Sequence, residues 1–122
     1  MPTVLTVDDQ PVFLRAAHDL IAATPGFQEV GQATSGSEAL ELASALDPDL
    51  VLLDVRMPDM DGLETARRLH AARPDAVVVL ISTGDVPELA STTAPGVAAH
   101  LRKQTLSPRT LRSVWEEHGS GA

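Results

Sequence analysis

The 122 residues carry 43% hydrophobic and 21% charged side chains, a net charge of −8 and no cysteine. That is the balance of one soluble globular domain, too short for two catalytic lobes and without the basic footprint that holds nucleic acid. Disulfide and thiolate chemistry are excluded with the cysteines, no apolar run reaches the roughly 18 to 20 residues of a bilayer span, and Met1-Pro2-Thr3 lacks the regions of a secretory signal, so the cytoplasm is the expected location.

Thr3 to Val7 reads as a short strand closing on Asp8-Asp9. Pro11 to Ala23 follows as a helix with Phe13, Ala16, Ala17, Leu20 and Ile21 at helical spacing, ended by Thr24-Pro25-Gly26. Phe27 to Gln32 is a second strand. Ser35 to Leu46 is a helix in which Ser35 is the N-cap, Glu38 stands at capping-box spacing, and Ala39, Leu42, Ala43 and Leu46 form the apolar stripe. Leu50 to Leu53 is apolar throughout, as a parallel strand covered on both faces must be. Gly62 to Ala72 is a helix with Leu63, Ala66 and Leu69 inward, and Ala76 to Ile81 is the fourth strand. Pro87 to Ala94 is the weakest helix, because Ser91-Thr92-Thr93 have poor propensity. It is either a mobile element ordered by a signal or, the reading preferred here, simply a poor helix. Val97 to Leu101 is the fifth strand and Pro108 to Glu117 the last helix, with Leu111, Val114 and Trp115 on its apolar side. Phe13, Phe27 and Trp115 are the only aromatic residues, so the core must be built from Val, Leu, Ile and Ala.

Strands alternating with helices in this way imply an α/β domain, a five-stranded parallel sheet with helices on both faces. Ligands of such sheets bind beyond the carboxyl ends of the strands. Those ends carry Asp8 and Asp9 after the first strand, Asp54 after the third, Ser82 and Thr83 after the fourth, and Lys103 after the fifth. Three carboxylates brought together repel unless a divalent cation neutralises them. An oxygen-only donor set suits Mg²⁺ and not zinc. A carboxylate beside such a cation is a competent nucleophile on phosphorus, with an ammonium and a hydroxyl spreading over the phosphoryl oxygens. Lys103 is the only lysine among nine basic residues, which fits a place that needs a compact point charge. His18 and His70 are expected on solvated helix faces, His118 in the last turn before the tail, and Trp115 in packing. Asp59 and Asp61 are expected to shape the loop before the helix that starts at Gly62, where negative charge is favourable.

Together "VLTVDDQ", "LVLLDVRMPDMDG", "VVVLIST" and "AHLRK" resemble the receiver domain of bacterial two-component response regulators, in the right order and over residues 3 to 118. The most specific part is Asp54 followed by Pro58 and Gly62, four and eight residues later. The resemblance implies a (βα)5 flavodoxin-like, doubly wound fold with strand order 2-1-3-4-5. It implies one receiver domain over 1–122, with a core of about 3–118 and a flexible tail at 119–122. Asp54 would be the phosphoacceptor, and Asp8, Asp9, Asp54 and the backbone carbonyl of Arg56 would hold Mg²⁺. Lys103 would pair with the phosphoryl group, and the switch hydroxyl would be Ser82, with Thr83 as the alternative.

The implied activity is not that of an enzyme but of a signalling domain that catalyses only its own phosphorylation and dephosphorylation. Its partners would be a histidine kinase or histidine phosphotransfer protein upstream, and downstream a partner protein, an effector domain on a longer chain, or a phosphorylation-dependent homodimer. Two positions depart from the family. His100 stands where an aromatic switch ring is usual: a neutral imidazole can pack inward while a charged one prefers water, and a plain surface histidine is the alternative. Gln104 stands where the family has proline after the lysine. The competing readings are a pseudo-receiver, an interaction module that never turns over phosphate, and an aspartyl phosphatase. The last is disfavoured because Arg56 occupies the place of its general acid.

Overall fold

The computed structural model describes residues 2–57, 59–83 and 97–119. The helix expected over Pro87–Ala94, together with Pro58 and most of the expected tail, lies outside the described residues. The chain runs β1 (Thr3–Val7), α1 (Pro11–Ala22), β2 (Gln28–Ala33), α2 (Gly36–Leu46), β3 (Leu50–Asp54), α3 (Gly62–Ala72), β4 (Val77–Ser82), β5 (Val97–Arg102), a 3₁₀ turn (Lys103–Thr105) and α4 (Pro108–His118).

All five strands are parallel, in the order β2-β1-β3-β4-β5. The two strands with continuous apolar runs, β3 and β4, are buried along their whole length. Their Leu and Val side chains alternate between the two faces of the sheet. On one face Leu5, Val7, Val51, Leu53, Val78 and Leu80 meet Ala39 and Ala43 of α2 and Ala66 and Leu69 of α3. On the other face Val4, Leu50, Leu52, Val79 and Ile81 meet Ile21 of α1 and Leu111 and Val114 of α4, with Phe13 and Trp115 packed alongside. Leu5, Leu50, Leu52, Leu53 and Leu80 are each 1% exposed or less. Each such burial stabilises the fold by roughly 1.5–3 kcal/mol relative to an exposed side chain. Among the described residues no helix is long and apolar enough to cross a membrane.

Several boundaries shift from the sequence reading by one residue. β2 starts at Gln28 rather than Phe27, and β4 covers Val77–Ser82, so Ser82 ends the strand instead of following it. In α1 the buried positions are Leu14, Ala17 and Ile21. Ala16 lies on the exposed side, so the expected stripe was rotated by part of a turn. In α2 Ala39 and Ala43 are buried, but Leu46, at the last residue of the helix, is 38% exposed. Ser35 does cap α2, its hydroxyl accepting the Glu38 N–H at 3.1 Å. The Glu38 carboxylate reaches past the cap to the Thr34 N–H at 2.6 Å, so the expected reciprocal box is not closed. The reciprocal box forms on α4 instead, between Ser107 and Thr110.

Candidate functional site

β1 and β3 are neighbours in register, with Val7 beside Leu53. Asp8, just beyond β1, and Asp54, the last residue of β3, are therefore delivered to the same edge of the sheet. Asp8 is fully buried, Asp54 is 8% exposed and Asp9 is open to solvent. A carboxylate oxygen from each lies within 4.8 Å of the others. The 3₁₀ turn after β5 brings Lys103 over them, its Nζ 2.6 Å from Asp8 Oδ2 and 4.0 Å from Asp54 Oδ1. Asp8 Oδ1 accepts the Gln10 N–H at 2.8 Å. Asp8 Oδ2 is buried and makes no hydrogen bond; its contact with Lys103 is a close ion pair without hydrogen-bond geometry.

Burial, and then the neighbouring Asp8, push the Asp54 carboxyl up to about 6; Lys103 and a hydrogen bond from the Arg56 backbone only partly oppose this, and Asp9 adds to the rise. The cluster thus concentrates more negative charge than its one ammonium offsets. Oxygen donors alone, one of them buried and lacking a hydrogen bond, fit a hard divalent cation of the Mg²⁺ type. Among the described residues this is the one group of three or more acidic or histidine side chains with such spacing.

Ser82 is buried beside this cluster, paired in register with Arg102 and one residue beyond Ile81, the partner of Asp54. Its hydroxyl is hydrogen-bonded to His100 Nε2 at 2.9 Å. His100 is half-buried on β5, not a free surface residue. Thr83 is exposed, and its carbonyl accepts from Gln104 Nε2 at 3.1 Å, which fastens the 3₁₀ turn to the end of β4. Asp8, Asp9, Asp54 and Lys103 therefore converge, and Ser82 and His100 engage each other. Arg56 is exposed, two residues beyond Asp54.

Two contributions were not foreseen, and the expectation for Asp61 held. The ring of Phe13, in the first turn of α1, lies under Lys103 with its centroid 4.4 Å from Nζ. Asp59 serves α2 rather than α3: its carboxylate accepts from Gly36 N–H, Ser37 N–H and the Ser37 hydroxyl at 3.0, 3.1 and 2.7 Å. Asp61 alone caps α3, taking the Glu64 N–H at 2.8 Å. The sequence signal for Asp59 was only an acid in a loop, since its partners lie more than twenty positions away.

The Ser37 hydroxyl, and then the amides of Gly36 and Ser37, hold Asp59 down to about 2 from 3.8. A carboxyl depressed on folding contributes stability that is fully present above its unfolded value and lost as pH falls through its folded value. Asp59→Asn is expected to lower the midpoint of denaturant unfolding at pH 7, and the deficit should shrink as pH falls from 4 toward 2. An equal deficit at both ends of that range would mean that charge plays no part in the cap.

The response regulator receiver domain family matches residues 4–115 of the chain. The nitrate/nitrite response regulator protein NarL of Escherichia coli (strain K12) is 33% identical over 120 residues, 98% of this chain and 55% of its own length. Response regulator GacA of Pseudomonas viridiflava is 44% identical over 82 residues, 67% of this chain and 38% of its own. The chain spans about half the length of the first of these curated relatives. The signal receiver domain of the putative response regulator NarL from Mycobacterium tuberculosis aligns with a TM-score of 0.86 and 31% identity, covering 99% of this chain and 98% of that one. Chemotaxis protein CheY4 of Vibrio cholerae aligns with a TM-score of 0.79 and 27% identity, over 97% and 98%. With the strand order, the acidic edge and a family match across nearly the whole length, the chain belongs to the response regulator receiver domain family.

Proposed function

We propose that this chain is a single receiver domain that accepts a phosphoryl group on Asp54 in a Mg²⁺-dependent reaction, from a histidine kinase or histidine phosphotransfer protein. The observation that carries this reading is the cluster itself: three carboxylates at one sheet edge, with one buried oxygen lacking a hydrogen bond and one lysine over them. Asp8, Asp9, Asp54 and the Arg56 carbonyl would hold the ion. When bound, it supplies the positive charge that lets the acids stay ionised together and neutralises phosphoryl oxygens.

An Asp54 carboxylate oxygen attacks phosphorus; the O–P bond forms as the bond from phosphorus to the donor breaks, and the donor keeps that electron pair. Lys103, 4.0 Å from Asp54, moves its ammonium from Asp8 toward the new phosphoryl oxygens. Ser82 is favoured over Thr83 as the switch hydroxyl because it is buried at the strand end, while Thr83 is exposed. To reach a phosphoryl oxygen it exchanges its bond with His100 for a charge-assisted one, and His100 is released to take a new position. The output is a changed protein contact in the cytoplasm, made by the domain itself, by a homodimer, or through an effector domain on a longer chain; this domain contacts neither membrane nor nucleic acid.

Intact mass after incubation with acetyl phosphate tests the reading. A phosphoryl-sized gain is expected with Mg²⁺, and none after chelation. A folded protein that gains nothing with Mg²⁺ present would support the pseudo-receiver instead.

A further inference from the structure

Lys103 reaches the acids on a flexible four-carbon stem, yet its side chain is only 12% exposed. Its Nζ is 2.6 Å from Asp8 Oδ2 and 4.0 Å from Asp54 Oδ1. The ammonium also lies over the face of Phe13, 4.4 Å from Nζ to the ring centroid, well inside the roughly 6 Å reach of a cation–π contact. Phe13 is in turn fixed by packing into the layer of α1 and α4.

We infer that Phe13 is a positioning residue for Lys103, its ring face seating the ammonium at the acid cluster. This rests on the reading that Lys103 meets the phosphoryl group, and adds how the chain keeps that lysine available. A carboxylate partner competes with a phosphoryl oxygen for the ammonium. A ring face attracts the cation through its quadrupole without presenting a counter-charge, so it restricts the stem while leaving the donors of the ammonium free. Leucine would fill the same apolar place in the layer without that attraction.

Because Lys103 is the only lysine in the chain, protein labelled with ¹³C-lysine gives one side-chain Hε–Cε correlation. Stacking on Phe13 is expected to move it upfield by ring current in metal-free, donor-free protein. Phe13→Leu should return it toward the solvent-exposed position and slow Mg²⁺-dependent phosphorylation by acetyl phosphate at least about threefold, the factor of an exposed cation–π contact and a lower bound for a lysine side chain that is 12% exposed. Phe13→Tyr, which keeps a ring face, should keep both the shift and the rate. An Hε–Cε position unchanged by Phe13→Leu would overturn the inference. So would a Phe13→Leu rate equal to wild type, or equal losses in the Leu and Tyr variants. If the wild-type protein takes up no phosphoryl group at all, the acceptor reading fails, while the lysine shift still decides whether the ring seats the ammonium.

Discussion

Asp54→Asn is expected to take up no phosphoryl group from acetyl phosphate and Mg²⁺, its intact mass staying unchanged while the wild-type protein gains one. The substitution keeps the shape of the side chain and removes the anionic oxygen that would attack phosphorus; an amide is not a nucleophile at neutral pH. Asp8 and Asp9 remain, so a gain that persisted in the variant would identify a different acceptor. Loss of activity through unfolding is separated by the second expected effect, which has the opposite sign. In the metal-free protein burial and Asp8 raise the Asp54 carboxyl to about 6 from 3.8. A carboxyl raised on folding stabilises the fold only while protonated; that contribution is lost as pH rises from about 4 through about 6, because the unfolded chain releases its proton first. Asp54→Asn should therefore be more stable than wild type at pH 7 in chelator, by on the order of 1–2 kcal/mol after discounting for solvent at the rim of the site. The gain should vanish near pH 4. Thermal unfolding at the two pH values reads both the size and the sign.

Gly62→Ala is expected to lower the melting temperature by about 5–12 °C. A Cβ on Gly62 would stand 2.6 Å from the Asp54 carbonyl oxygen and 2.7 Å from the Val55 Cα, both backbone atoms that cannot swing aside. The Gly62 N–H also donates to the Val55 carbonyl at 2.7 Å, so the chain segments are already in closest approach where α3 begins. Relief requires moving the backbone of Asp54 itself, and the folded fraction of the variant should also phosphorylate more slowly. Gly31→Ala is the matched control: its nearest obstacle, at 2.8 Å, is a terminal methyl of Leu46, on a side chain that is 38% exposed and free to turn. Equal melting losses in the two variants would remove the special status of Gly62.

The acidic edge was legible because Asp8-Asp9 and Asp54 close short β-branched or apolar runs, and strands alternating with helices deliver such ends to one edge of a parallel sheet. Asp8, Asp9, Asp54 and Lys103 could be assembled from that rule and the family resemblance alone. Leu14 was missed in favour of Ala16 because several stripes of a helix this rich in Ala and Leu satisfy the same spacing, and the one that faces the sheet is decided by tertiary packing. Phe13 read as core, which it partly is; that its ring also lies under Lys103, ninety positions away, has no local signal. Asp59 was assigned to the nearer helix because the bonds from Gly36 and Ser37 exist only once the loop after β3 folds over α2. Gln104 announced a departure from the family without showing that its amide would bind the Thr83 carbonyl.

The hydrophobic interior is divided by the sheet into two layers, one holding α2 and α3 and the other α1 and α4. The edge where the acids lie is a seam between them. Gly62 opens α3 in the first layer, with Asp59 and Asp61 in the loop before it; Phe13 lies on α1 in the second; Asp54 ends β3 and Asp8 stands just beyond β1. An ion held by Asp8, Asp9 and Asp54 would be coupled to both layers, to the first through Gly62, whose N–H donates to the Val55 carbonyl just after β3, and to the second through Phe13 under Lys103. Its binding free energy is added to the opening of either layer, and amide protons deep in both should exchange more slowly with it in place, not merely those of the loops it touches.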